Sequence, residues 1–221
     1  MGNKFYAVKK GITPGIYTTW EECEANVAGY SKAEYKSFKT KNEALKYLGL
    51  DEIEDNPPKE LPQKGSLLVY VDGSFEESIN RYSFGCVFIR DNNDIRLAFG
   101  NGDSEEGLKS RNVSGEMLGA MYAVKCAMKN GFSSVTVCYD YLGIEKWAKG
   151  EWKTNTVNTT KYAKAMAEWS KSIKIDFKKV KAHSKVYYNE LADETAKRGL
   201  IEGNGIPAVS MLDDMEKYED A

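Results

Sequence analysis

The stretch Leu67-Leu68-Val69-Tyr70-Val71-Asp72-Gly73-Ser74 decides the fold class. Five consecutive apolar residues read as a strand buried on both faces. An acid closes the run where the chain leaves the core, and Asp-Gly-Ser by itself reads as a turn. A second such run, Ser134-Val135-Thr136-Val137-Cys138-Tyr139, is also followed by an acid, Asp140. Between the two lie strand-like runs at 82–90 and 95–100, then a helix from Ser114 to Asn130 that stops at Gly131. Beyond them the pattern predicts helices near 141–149 and 158–171, a strand from Ile173 to Val180, and a last helix from Asn189 to Arg198 closed by Gly199. Three early strands, then strands alternating with helices, predict an α/β domain over residues 66–200: a mixed five-stranded sheet flanked by helices.

Four carboxylates stand where these elements meet solvent. Asp72 and Asp140 close strands, while Glu116 and Asp193 lie on amphipathic helical runs. The only histidine, His183, precedes Asp193 by ten residues. Each has an ordinary explanation when taken alone. Asp72 suits a turn, Glu116 the first turn of a helix, and Asp140 an N-cap; Asp193 suits a solvated helix face and His183 a surface position. Together, acids from four elements can converge at one end of a sheet. Their repulsion would be large unless cations filled the gap. A two-magnesium phosphodiester-cleaving site needs that arrangement.

The chain has 221 residues, 42% hydrophobic and 29% charged, which suits one medium domain plus something smaller. No apolar run approaches the ~20 residues that span a bilayer, and the first ten residues lack the apolar core of a secretory signal. The four cysteines form no Cys-x-x-Cys pair, so reduced thiols in a cytoplasmic protein are expected, without zinc. Residues 1–50 hold 8 basic and 5 acidic side chains, and residues 66–200 hold 20 and 17. Residues 51–65 hold 2 and 5, and residues 201–221 hold 1 and 6. Two mildly basic units are thus joined by an acidic, Pro-containing linker (51–65) and followed by an acidic C-terminal tail (201–221). Basic units suit a polyanionic partner.

The first 50 residues read as a small α+β unit with a three-stranded antiparallel sheet. Phe5-Tyr6-Ala7-Val8 and Ile16-Tyr17-Thr18 are strands around a turn at Pro14-Gly15. A helix follows over Trp20–Val27 with Thr19 as cap, then a strand at Tyr35-Lys36-Ser37-Phe38 and a helix from Asn42 to Leu48.

Residues 66–199 resemble type 1 ribonuclease H. The strand-Asp-Gly-Ser, the Glu on the first long helix, the strand-ending Asp and His-x9-Asp follow in that family's order. The resemblance implies that Asp72, Glu116, Asp140 and Asp193 bind two Mg2+ ions, with Mn2+ as a substitute. By resemblance Asp72 bridges both ions, Asp193 helps hold the water-activating ion, and Glu116 and Asp140 support the leaving-group ion. His183 is implied to assist proton movement or product release, and Asn112 and Asn189 match positions near the substrate. The implied activity is endonucleolytic hydrolysis of the RNA strand of RNA/DNA hybrids, leaving 5′-phosphate and 3′-hydroxyl ends. The chain departs from the family in Phe75-Glu76-Glu77-Ser78-Ile79-Asn80 after the first motif, and in Leu142, where a glutamine is frequent.

Residues 4–48 resemble the hybrid-binding domain at the front of many such enzymes. Phe5-Tyr6-Ala7-Val8, Gly15-Ile16-Tyr17, Trp20, Cys23, Gly29-Tyr30 and Tyr35-Lys36-Ser37-Phe38 carry that likeness. It implies that Tyr6, Trp20 and Tyr35 pack on the DNA strand and that Lys36 meets a phosphate. Core aromatics of a tiny domain are the alternative for Tyr6 and Trp20. The partner implied is an RNA/DNA hybrid duplex, met by a monomer with no membrane attachment. A hybrid-binding protein with little catalysis is the second reading, and a DNA-cutting relative of the same fold the third.

Overall fold

A computed structural model of the chain describes residues 4–12, 15–39, 43–44, 47–48, 61–180 and 187–219. The chain divides into two units, Met1–Asp55 and Asn56–Ala221.

In the first unit, strands β1 (Phe5–Lys10), β2 (Gly15–Tyr17) and β3 (Glu34–Phe38) form an antiparallel sheet in the order β2-β1-β3. Helix α1 (Trp20–Val27) starts on a capping box: Thr19 Oγ1 accepts from the Glu22 amide, and the Glu22 carboxylate accepts from the Thr19 amide. This satisfies two of the donors that a helix start leaves open. Val8, Cys23 and Val27 form its small core. The expected turn at Pro14 and most of the linker, 51–60, lie outside the described residues. Of the expected helix at 42–48, residues 43–44 and 47–48 are described; 43, 44 and 47 are helical and 48 is a turn residue.

In the second unit, β4 (Ser66–Glu76), β5 (Arg81–Ile89) and β6 (Ile95–Gly102) form a meander. After α2 (Glu105–Ser110) and α3 (Asn112–Lys129), the chain forms β7 (Ser134–Tyr139), which lies parallel to β4. Helices α4 (Gly143–Ala148) and α5 (Val157–Trp169) lead to β8 (Lys174–Lys179), parallel to β7, and α6 (Tyr187–Glu202) follows. Alternation along the strands makes two cores. Leu67, Val69, Val71, Val135 and Val137 face α3 and α5, while Leu68, Tyr70, Val87 and Cys138 face α6.

Helix α3 ends as its sequence predicts. Gly131 takes φ +74°, its amide donates to Met128 O, and the Phe132 amide donates to Ala127 O. That double closure satisfies carbonyls the helix end would leave open. The six-residue α2, capped by Ser104, was not anticipated from sequence.

Three expectations need correction. Asp72-Gly73-Ser74, which by itself reads as a turn, is strand: β4 continues to Glu76, paired with β5 from Leu68 onward. Gly73 serves a close approach of the helix that carries Glu116 rather than a turn. α6 is not closed by Gly199 but runs on to Glu202. The bare Cα of Gly199 lies against Gly100 and Ser83, and the helix is capped from outside by Asn101. The Asn101 side-chain amide donates to Gly199 O and Gly203 O, each at 2.8 Å. Finally, residues 203–219 are no solvated tail. β9 (Glu216–Tyr218) pairs with β6 and gives the sheet six strands, in the order β8-β7-β4-β5-β6-β9. Leu212, 0% exposed, anchors this strap in the core. Its acids hid it in a charge count, but Asp213 pairs with Arg90 and Glu216 with Arg198, while Leu212 and Met215 are buried.

Candidate metal centre

Parallel pairing sets the first two acids side by side. Tyr70 of β4 is level with Cys138 of β7, so Asp72 and Asp140, each two residues further, leave neighbouring strands at the same height. Glu116 arrives from the opposite face on the second turn of α3. A Cβ at Gly73 would overlap Asn112 O and lie 2.5 Å from the Glu116 amide nitrogen, and one at Gly115 would overlap Ser83 O. Two glycines therefore let the start of α3 rest on the strand backbones, which places Glu116 beside Asp72. On the other face, Gly85, the cross-strand partner of Asp72, has α6 backbone where its Cβ would be. That contact brings Asp193 up to the same end.

Asp72, Glu116 and Asp140 each offer an oxygen within 4.8 Å of the others. Glu116 is 1% exposed, and its Oε2 has no hydrogen-bond partner among the described residues. The Gly73 amide donates to Asp72 Oδ1 at 2.7 Å and fixes that carboxylate. Burial first, and the Asp140 charge second, push the Asp72 carboxyl up to about 7. Burial, then the charges of Asp140 and Asp72, push Glu116 up to about 9, against a hydrogen bond from the Tyr141 amide. Such crowded carboxylates are unfavourable together without a cation, and an all-oxygen donor set suits a hard divalent ion. The buried, unpartnered Glu116 oxygen shows that these residues fit one.

Asp193 stands outside the group of three, but its charge still acts on Asp72. Its Oδ2 accepts from Lys197 Nζ at 2.5 Å. Lys197 was missed from sequence, although the four-residue spacing to Asp193 was legible. Asn189, one turn earlier, is 4% exposed, and its Oδ1 has no partner among the described residues. Asn112 is the exposed first residue of α3. His183 lies outside the described residues. Arg111, also missed, has φ +50° between α2 and α3 and lays its guanidinium over the Phe75 ring at 5.4 Å.

In the small unit, Tyr6, Trp20 and Tyr35 form one aromatic patch. Ring centroids are 5.7 Å apart for Tyr6–Trp20 and 6.0 Å for Trp20–Tyr35. Trp20 is 39% and Tyr35 44% exposed, so the patch is not simply core. Lys36 does not share it. It pairs with Ala7, facing away from the side that carries Tyr6, and its Nζ sits 5.6 Å over Phe38. Ser37, paired with Tyr6, occupies the aromatic side.

Two family models match the chain. Residues 4–48 match "Ribonuclease H1 N-terminal domain" and residues 64–201 match "RNase H". A ribonuclease H of Saccharomyces cerevisiae is 51% identical over 45 residues, 20% of this chain and 13% of the yeast protein. That match thus spans only a small part of its relative's length. The ribonuclease H1 of Mus musculus is 22% identical over 253 aligned residues, covering 88% of each protein. Among solved structures, LC11-RNase H1 in complex with an RNA/DNA hybrid superposes with a TM-score of 0.51 at 14% identity, over 62% of this chain and 97% of that one. At that identity the likeness concerns the fold.

Proposed function

Because the chain belongs to the RNase H family, matched over residues 64–201, we propose that it is an endoribonuclease. It hydrolyses the RNA strand of RNA/DNA hybrids with two Mg2+ ions and leaves 5′-phosphate and 3′-hydroxyl ends. One observation carries this reading: Asp72, Glu116 and Asp140 converge within 4.8 Å at the ends of the central strands, with a buried, unpartnered oxygen on Glu116. Asp72, Glu116, Asp140 and Asp193 would hold the ions, and Mn2+ would substitute. When bound, the ions supply positive charge that activates a water and stabilises the departing 3′ oxygen.

The chain's own groups prepare that site. Gly73 aims the Asp72 carboxylate. Lys197 holds Asp193 near the cluster and, in the absence of ions, offsets part of its charge. Asn189 offers a buried carbonyl oxygen without a partner among the described residues, beside where substrate would lie. His183 would move a proton or help release product. Recognition of the hybrid falls to the aromatic patch of Tyr6, Trp20 and Tyr35, with base or sugar faces stacking on the exposed rings. Asn112 would reach the duplex at the mouth of the site. Lys36, on the other side of the small sheet, serves a phosphate only where the duplex wraps beyond the patch. LC11-RNase H1 was solved with an RNA/DNA hybrid, which supports this choice of partner. The protein acts as a monomer in the cytoplasm, in keeping with its four free, buried cysteines. No helix among the described residues is long and apolar enough to cross a membrane.

End-labelled RNA/DNA hybrid, double-stranded RNA, double-stranded DNA and single-stranded RNA, each with Mg2+ and with EDTA, provide the test. Mg2+-dependent cutting of the hybrid's RNA strand alone, lost in Asp72→Asn, is the expected result. Tight hybrid binding without cutting would favour a binding protein and turn attention to Leu142 and the 75–80 segment.

A further inference from the structure

The strap formed by residues 203–219 does more than cover an edge. It first crosses the α3 side of the sheet, where Lys129 Nζ donates to Val209 O at 2.6 Å and the Leu212 amide donates to Asn130 Oδ1 at 2.9 Å. It then follows β6 as β9 and reaches the α6 side. There Glu216 accepts both guanidinium nitrogens of Arg198 at 3.1 Å each, a paired geometry that fixes direction as well as distance. Tyr218 shares a hydrogen bond with the Tyr187 hydroxyl at 2.8 Å. The strap therefore ties together, around one edge of the sheet, the two helices that carry Glu116 and Asp193.

A continuous set of contacts leads from the strap to the acids. Tyr187 packs edge-on against Tyr188 at 5.2 Å, and Tyr188 lies 5.7 Å from Tyr70. Tyr70 precedes Asp72 by two residues on the same face of β4. Asn189 and Asp193 follow Tyr188 within the next two turns of α6. A carboxylate adds to cation affinity only as far as the scaffold holds it in place beforehand. A long stretch of chain separates α6 from the strand that bears Asp72, so its registry depends on packing contacts, and these add to the backbone approach at Gly85.

We infer that Tyr218 and Glu216 are positioning residues that hold α6, and with it Asp193 and Asn189, in registry with Asp72. The inference rests on the metal-site reading above. Its test is Mn2+ binding to the full-length chain, read from the electron paramagnetic resonance of free Mn2+, for wild type, Tyr218→Phe, Glu216→Gln and the double variant. Asp72→Asn serves as the control that loses binding. Tyr218→Phe keeps the ring and removes only the hydroxyl. The double variant should bind Mn2+ roughly three- to tenfold more weakly, with unchanged secondary structure and with cutting restored at saturating Mn2+. A strap that merely covers the edge predicts a lower melting temperature with unchanged Mn2+ affinity; that outcome would overturn the inference and leave the proposed function standing. A wild-type chain that binds no Mn2+ would overturn both.

Discussion

Glu116→Gln probes the metal centre through stability alone. In the metal-free protein, burial and the charges of Asp140 and Asp72 raise the Glu116 carboxyl from 4.5 to about 9. At pH 7 the group is therefore protonated when folded and ionised when unfolded. Folding at pH 7 must take up that proton across a gap of about 2.5 pH units at about 1.36 kcal/mol each, which costs about 3 kcal/mol. A raised folded pKa leaves stability intact below 4.5 and removes it as pH climbs towards about 9. Glutamine avoids this cost. In EDTA at pH 7 the variant should gain up to about 3 kcal/mol, or roughly 6–12 °C for a unit of this size. Near pH 4 the gain should vanish. Trp147, Trp152 and Trp169 all lie in the larger unit, so intrinsic fluorescence follows its melting, with Trp20 alone reporting from the smaller. Lower stability of the variant at pH 7, or a gain that persists at pH 4, would refute the reasoning.

Four other outcomes are expected. With Asp72 near 7 and Glu116 near 9, cation binding at pH 7 must expel protons; titration calorimetry in buffers of different ionisation enthalpy should show about one proton or more released. Gly73→Ala should push α3 off β4, destabilise by about 1–3 kcal/mol and slow cutting by about a hundredfold; full activity in cleavage assays would mean that Glu116 is not held by this contact. Trp20→Ala should weaken hybrid binding by about 1–3 kcal/mol in fluorescence anisotropy while single cuts persist at high enzyme concentration. Leu212→Ala should cost about 2–5 kcal/mol in urea unfolding, whereas a solvated tail would tolerate it without change.

Much of the site was legible because its acids sit in strong local patterns. An apolar run ended by an acid marks a strand leaving the core, and the runs ending at Asp72 and Asp140 both do so. The α1 cap at Thr19 and the end of α3 at Gly131 were readable for the same reason: each depends on a few neighbouring residues whose side chains or conformations satisfy the helix ends. The extent of α6 was misread at Gly199 because the group that caps it, Asn101, comes from another strand.

Chain order and residue type were enough to specify the alternation of strands and helices and to single out Asp72, Glu116 and Asp140, which the fold brings together. They could not reveal that Gly73 and Gly115 carry a backbone contact rather than a turn, that Lys36 leaves the side opposite Trp20, or that the acidic last residues form a sixth strand. Each of those depends on which backbone lies across from the residue, at sequence separations where composition is silent. The separation of Asp193 from its three companions is of the same kind, since α6 is placed by Gly85 beneath it and by Tyr218 and Glu216 beside it. Local patterns report how a residue meets its neighbours in sequence, whereas the charge cluster arises where strand register and helix–sheet contact converge.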